Sequence, residues 1–324
     1  MDFERRPKPA FYAYRNALSP IMVSLRSDRH TVFSGEEISW EAWVSNDGDG
    51  FENANLYYHI EREDGVVLCS GRESVNCGDC TSKCFGLIKA EVPEVSGRET
   101  LKITLGLFDE NDNLIDYNAE TITVFSKNDS LRGKAYIIGN IDGKAMTLAR
   151  DVGLEADFSD GYDSDSVILI DDYEKYSKVS GKIKKAVTDG AKAIFLELPV
   201  GEYDIFDSRV LTKACAMQPV GFVARDTDHR YVEGFDKKDF RNWYDKSCDY
   251  ITPLLENTLH TDEFAPILTS GNNGNGWQTA LAACDKSYGK GSVILCNVKL
   301  SGRTKENPVA DCFAKKILSY TDKG

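Results

Sequence analysis

The chain has 324 residues, 41% of them hydrophobic and 28% charged, with a formal net charge of −13. This is the composition of a soluble globular protein, neither disordered nor collagenous, and the length predicts two domains rather than one. The negative charge argues against a phosphate-tracking surface, so nucleic acid is not an expected partner.

No apolar stretch approaches the roughly 20 residues of a membrane span, which removes the membrane from the expected partners. Residues 1–25 lack the apolar centre of a signal peptide. Five of the nine cysteines are scattered singly through the second half. That usage predicts reduced thiols and a cytoplasmic location.

In chain order, Arg5-Arg6-Pro7-Lys8-Pro9 opens the sequence and Ala10 to Leu18 follows as a short helix. Its apolar face is Ala10, Tyr14, Ala17 and Leu18 at helical spacing, and Pro20 stops it. No neighbouring segment offers that face a partner, so it is expected to pack on something outside this stretch. From Val23 to Phe125 the period becomes two. Ile38, Trp40, Ala42 and Val44 alternate with Ser39, Glu41, Trp43 and Ser45, and Leu101, Ile103, Leu105 and Leu107 repeat the pattern. Turn signals at Ser34-Gly35, Asn46-Asp47-Gly48 and Asp64-Gly65 separate the runs. Residues 23–126 are therefore expected to form an immunoglobulin-like β-sandwich.

Within that region Cys69, Cys77, Cys80 and Cys84 form a cluster containing one CxxC. Reduced thiols on a loop are the plain reading. A four-thiolate zinc site and a redox-formed disulfide are the alternatives. Residues 126–133 (SKNDSLRG) read as a linker.

Beyond it, Lys134 to Gly139, Ser166 to Ile170, Ala193 to Leu198, Gly221 to Ala224, Pro266 to Thr269 and Ser292 to Val298 read as buried-type strands. A helix over Gly143 to Val152, another carrying Val179, Ile183, Ala186 and Val187, and a last one opened by Asn307-Pro308 alternate with them. The buried stripe of the last helix is expected at Val309, Cys312, Phe313 and Ile317. Residues 134–324 are thus expected to be an α/β domain with a mostly parallel sheet covered on both faces.

Several stretches carry a family resemblance. RRPKPAFYAYRNALSP (5–20) resembles the segment closing the catalytic barrel of glycoside hydrolase family 2, the family of β-galactosidases, β-glucuronidases and β-mannosidases. LRSDRHTVFSGEEISWEAWVSND resembles the sandwich that follows that barrel in a β-galactosidase-like subgroup. GFDKKDFRNWYD (234–245), YITPL (250–254), PILTSGN (266–272) and GRTKENPVA (302–310) are similar to the glutamine-amidotransferase-like, flavodoxin-type domain ending some of these enzymes.

The resemblance implies that residues 1–22 are the remnant of a barrel end and that the parent is a retaining glycosidase of carbohydrate metabolism. Its two catalytic glutamates would lie upstream of Arg5. The missing barrel is then the expected partner, with carbohydrate and a homo-oligomer as further ones, and no cofactor is expected. Met1 directly precedes the family-like segment, which points to a chain cut from a longer parent.

No catalytic residue is assigned. The strand Ala193 to Leu198 runs into Pro199-Val200-Gly201 without the cysteine that an active amidotransferase places there, and Cys215 and Cys296 lie elsewhere. Gly139 to Ala145 is one residue too short for a phosphate loop, and Gly271 to Gly276 reads as a plain loop. Asp226-Thr227-Asp228-His229 offers metal-type ligands but reads first as a solvated loop. Flat rings cover the apolar faces of sugars, so Trp43, Trp243, Tyr244 and Trp277 are the candidate sugar-binding residues, weighed against core or interdomain contacts.

Overall fold

The computed structural model describes residues 7–127, 129–215, 227–272 and 278–319. Strands take 46% of the residues and helices 16%, so the protein is predominantly β. The chain divides into two compact units, Met1–Ser126 and Lys127–Gly324.

The first unit opens with helix α1 (Pro9–Ala17). Eight strands follow: β1 (Ile21–Arg26), β2 (Thr31–Phe33), β3 (Glu37–Asn46), β4 (Phe51–Arg62), β5 (Val67–Cys77), β6 (Thr81–Glu91), β7 (Arg98–Phe108) and β8 (Leu114–Phe125). They form a three-stranded sheet, β1-β3-β6, and a five-stranded sheet, β2-β8-β7-β4-β5. The period-two pattern explains the pairing of layers. Ile38, Trp40, Ala42 and Val44 point from β3 into one core with Leu101, Ile103, Leu105 and Leu107 of β7, all of them buried.

Asn46 builds the turn after β3. Its amide donates to the carbonyls of Asp49 (2.9 Å) and Gly78 (3.0 Å), while its Oδ1 accepts the Gly48 N–H. The edge strand β1 is not left open. The Val23 N–H donates to Asp116 Oδ2 (2.8 Å) and the Leu25 N–H to Asn118 Oδ1 (3.3 Å), tying it to β8 of the facing sheet. Tyr14 (70%) on α1 and Leu18 (79%) at its C-cap stand exposed, so the expected apolar face is uncovered among the described residues, and Phe11 (45%) is exposed beside it.

The second unit holds β9 (Lys134–Ile138), α2 (Lys144–Val152), β10 (Glu155–Asp157), β11 (Val167–Ile170), α3 (Tyr173–Asp189), β12 (Lys192–Leu196), β13 (Gly201–Ile205) and β14 (Ser208–Ala214). Then come β15 (Tyr244–Asp245), β16 (Tyr250–Ile251), β17 (Asn257–His260), β18 (Ala265–Asn272), β19 (Gln278–Tyr288), β20 (Gly291–Cys296) and α4 (Pro308–Leu318). The main sheet runs β10-β9-β11-β12-β20-β19-β17-β14-β13, with β18 paired to β19, while β15 and β16 form a separate ribbon.

The expectation of a mostly parallel sheet is corrected here. Pairing is parallel from β10 to β20 and antiparallel from β20 onward through β19, β17, β14 and β13, as well as between β18 and β19. The antiparallel wing follows from short hairpin connections, such as Ile205 to Ser208 and Tyr288 to Gly291, where a parallel neighbour would need a helical crossover. The flavodoxin- and amidotransferase-like layout expected for residues 134–324 is therefore not supported.

Helix α3 buries Tyr176, Ile183, Ala186 and Val187 in one core with Ile168, Ile170, Phe195, Val293 and Leu295. Helix α2 packs on β9 and meets α4. Asn307 caps α4 as expected, its Oδ1 accepting from Val309 (3.1 Å) and Ala310 (3.2 Å), and Val309, Phe313 and Ile317 are fully buried. Cys312, placed on the same stripe by the sequence, is only half-buried. The strand expected at Gly221 to Ala224 lies outside the described residues. Among the described residues no helix is long and apolar enough to cross a membrane.

Candidate functional site

In open sheets the rim at the carboxyl ends of parallel strands is where loops converge and ligands bind. In the second unit that rim follows β9, β11, β12 and β20. After β9 the chain passes Gly139 and Gly143 on its way into α2. A Cβ on Gly139 would fall 1.7 Å from Asp171 Oδ1 and one on Gly143 2.3 Å from Oδ2, so only glycine admits the carboxylate that follows β11. Asp171 uses that space to accept the Ala145 N–H (2.8 Å), one of the unpaired donors at the start of α2. Lys175 closes the loop from α3, donating to the Gly139 carbonyl and to Asn140 Oδ1, each at 2.6 Å. This is the strand-to-helix turn that the sequence separates from a phosphate loop.

After β12 the backbone does something the sequence does not announce. Glu197, read as the fifth residue of the strand Ala193 to Leu198, instead leaves it with φ +47°, a left-handed conformation rare for a non-glycine residue. Its N–H donates to the Cys296 carbonyl (2.8 Å), and the next N–H, of Leu198, to Asn297 Oδ1 (3.0 Å). The carboxylate is largely buried and pairs with Lys144 Nζ at 2.8 Å. Burial pushes its pKa up, and Lys144 works against that shift. Lys299 lies close enough to oppose that rise as well, and pairs with Glu256 at 2.7 Å. Lys144, Asp171, Lys175, Glu197, Glu256 and Lys299 thus each have a partner of opposite sign or a hydrogen bond, an arrangement suited to holding loops in place.

The thiols are placed against nucleophilic chemistry. Cys296 ends β20 fully buried, its pKa pushed up to about 12, and burial raises Cys215 to about 11. Burial likewise pushes Cys284 on β19 well above its ordinary value. Such thiols stay protonated at neutral pH. His229 lies 3.2 Å from Asp285 Oδ1 and accepts the Tyr231 N–H at Nδ1, while Thr227 of the same stretch donates to the Ile267 carbonyl. Asp226 lies outside the described residues. His260, with its Nε2 3.0 Å from Thr258 Oγ1, has its pKa lowered by burial and by Lys213. It borders an open cleft of about 820 Å³ on the antiparallel wing, lined also by Leu211, Leu259, Phe264 and Leu281.

The sequence-predicted residues disperse. Cys69 and Cys77 lie on β5, Cys80 in the exposed turn after it, and Cys84 on β6, and all four thiols are free. Among the described residues no group of three or more Cys, His, Asp or Glu side chains comes together as a metal site.

Trp43 faces outward from β3, half-buried. Its indole N–H donates to Glu41 (2.6 Å), and the Arg26 guanidinium covers one ring face at 4.4 Å from the centroid. Trp243 is fully buried, with its N–H on the Lys299 carbonyl (3.1 Å), and Tyr244 is buried with its hydroxyl on Asp249. Neither presents a ring face to a sugar, because burial takes both rings, that of Trp243 against the loop after β20. Trp277 lies outside the described residues.

No family model matches the chain, and no curated protein matches it. Solved structures give weak likenesses. The CARDB domain of a Pyrococcus furiosus protein, in complex with di-metal ions, is 16% identical over 33% of this chain and 91% of that one, at a TM-score of 0.25. A family 2 β-glucuronidase is 13% identical over 55% of this chain and 24% of its own, at 0.25. The exo-chitosanase of Amycolatopsis orientalis is 16% identical over 38% and 13%, at 0.28. This chain thus spans a quarter or less of the length of those two enzymes. At such scores the likenesses determine neither its topology nor its activity.

Proposed function

We propose that this chain is the accessory, non-catalytic C-terminal region of a retaining glycoside hydrolase of family 2, β-galactosidase- or β-glucuronidase-like, whose two units brace the catalytic barrel or its oligomer. In this reading residues 1–22 are the tail of the barrel and residues 23–126 its immunoglobulin-like neighbour. The observation that carries the reading is α1. It bears the RRPKPAFYAYRNALSP resemblance, and its apolar side chains Phe11, Tyr14 and Leu18 stand exposed, as a helix face does when its partner belongs to another segment. Cysteines scattered singly through the second unit fit a reducing cytoplasmic setting.

Two measurements test it. Mass spectrometry of the natural protein is expected to show a longer chain carrying a barrel ahead of Arg5, and a natural product ending at Met1 would sink the proposal. A panel of nitrophenyl galactosides, glucuronides and mannosides is expected to show no turnover by this chain alone, and turnover would place an active site within it.

The second reading, a carbohydrate-binding module, keeps Trp43 as the one described candidate ring with an accessible face. Tryptophan quenching by galactose, lactose, glucuronic acid or mannose that disappears in Trp43→Ala would favour it. An independent hydrolase or amidotransferase is disfavoured, since Glu197 and not a thiol occupies the turn after β12.

A further inference from the structure

The outer face of the five-stranded sheet carries an aromatic surface that none of the tryptophans belongs to. Alternation sends Leu56, Leu105 and Leu107 inward, so their neighbours Tyr57, Gly106 and Phe108 face outward. The register sets Tyr57 of β4, Gly106 of β7 and Tyr117 of β8 directly opposite one another in a single row. Tyr117 is 62% exposed and Tyr57 half-buried. Gly106 between them leaves a gap, over which the Phe108 ring and Leu114 close. A Cβ on Gly106 would lie 3.0 Å from Phe108 Cε2 and 3.8 Å from Leu114 Cδ1. The floor between the two tyrosines is therefore apolar and without side-chain charge.

Two pairs of charged groups around this floor are already matched. Arg72, opposite Tyr57 on β5, pairs with Asp112, and Lys102 pairs with Glu61 at 3.2 Å. His59 lies beside Tyr57, their ring centroids 5.6 Å apart. Nothing in this rim calls for a charged ligand. The two tyrosines sit two strand spacings apart, roughly 10 Å. Tyr57, Phe108, Leu114 and Tyr117 are few beside the roughly 20 to 30 residues that each partner places in a stable protein interface. A second copy of the chain is thus too large an occupant, whereas linked pyranose rings, with flat apolar faces and uncharged hydroxyl edges, match both the spacing and the polarity.

We propose that this face binds a linear, uncharged oligosaccharide, with Tyr57 and Tyr117 as two stacking platforms across the Phe108–Leu114 floor. The site goes beyond the bracing role and does not depend on it.

Calorimetric titration of the whole chain with β-1,4-linked glucan, galactan, mannan and xylan hexasaccharides tests the proposal. Saturable binding to at least one is expected, weakened about tenfold by Tyr117→Ala and by Tyr57→Ala. Tyr117→Phe should retain binding. Both tyrosines face away from the core, so unchanged thermal melting is expected to confirm that the variants fold. Flat traces for every glycan, or binding that survives both alanine substitutions, would overturn the proposal. So would a concentration-dependent dimer in sedimentation that Tyr117→Ala abolishes, which would assign the face to a second copy. Glycoside turnover bears only on the accessory reading, so the two ideas fail separately.

Discussion

Lys192 offers the sharpest test of how this fold handles charge. It opens β12 between β11 and β20, and its side chain is buried beneath the end of α4. There its ammonium donates to the carbonyls of Ile317 (3.1 Å) and Ser319 (2.6 Å), at the negative end of that helix dipole. Burial, and then the nearby Arg230, lower its pKa from 10.5 to about 8, with Asp285 acting against them. The sign follows from linkage. Below pH 8 the folded protein carries a buried charge at a penalty relative to the unfolded chain. Between pH 8 and 10.5 the folded state has lost a proton that the unfolded state still holds, so this residue's contribution to stability rises with pH. A drop of that size corresponds to about 3 kcal/mol across the window. The assay is thermal unfolding of the protein and of Lys192→Met at pH 7, 8, 9 and 10, under reducing conditions. The melting temperature of the wild-type chain relative to the variant is expected to climb by several degrees from pH 8 to 10. A difference that stays flat with pH, or falls, would refute the buried-charge account.

Three further outcomes are expected. Asn307→Ala removes the acceptor for two N–H groups at the start of α4 and should destabilise the protein by about 1 kcal/mol in urea unfolding, with the slope unchanged. At Glu197 the left-handed backbone predicts that Glu197→Gly is more stable than Glu197→Ala by about 1 kcal/mol, since both lose the Lys144 pair but only glycine escapes the strain. The reverse order would show that φ is not strained there. With a thiol reagent under native conditions, Cys80 and Cys248 should react first, while Cys284 and Cys296 should wait for unfolding. Peptide mapping of the labelled sites would show which react.

What the sequence determined by itself is local. Alternation at period two is a property of a few consecutive residues, and it located the inward faces of β3 and β7 because a strand must bury one side. Asn307-Pro308 set the start of α4 for the same kind of reason: an N-cap oxygen satisfies N–H groups two and three residues away. The helical stripe through Ile183, Ala186 and Val187 was equally legible. The exposed face of α1 was readable as an apolar stripe with no local partner. Tertiary structure decided the rest, because the partners involved are far apart in the chain. Trp243 sits in a loop-like context, yet its N–H finds the carbonyl of Lys299, 56 residues on, and its ring is buried. Whether β19 runs parallel or antiparallel to β20 depends on a hairpin and not on either strand's composition. Cysteines close in sequence need not converge, because strands β5 and β6 carry them into different sheets. Tyr57 and Tyr117 form one row only because β4, β7 and β8 pair in one particular register, and a shift of one residue would turn each ring to the other face.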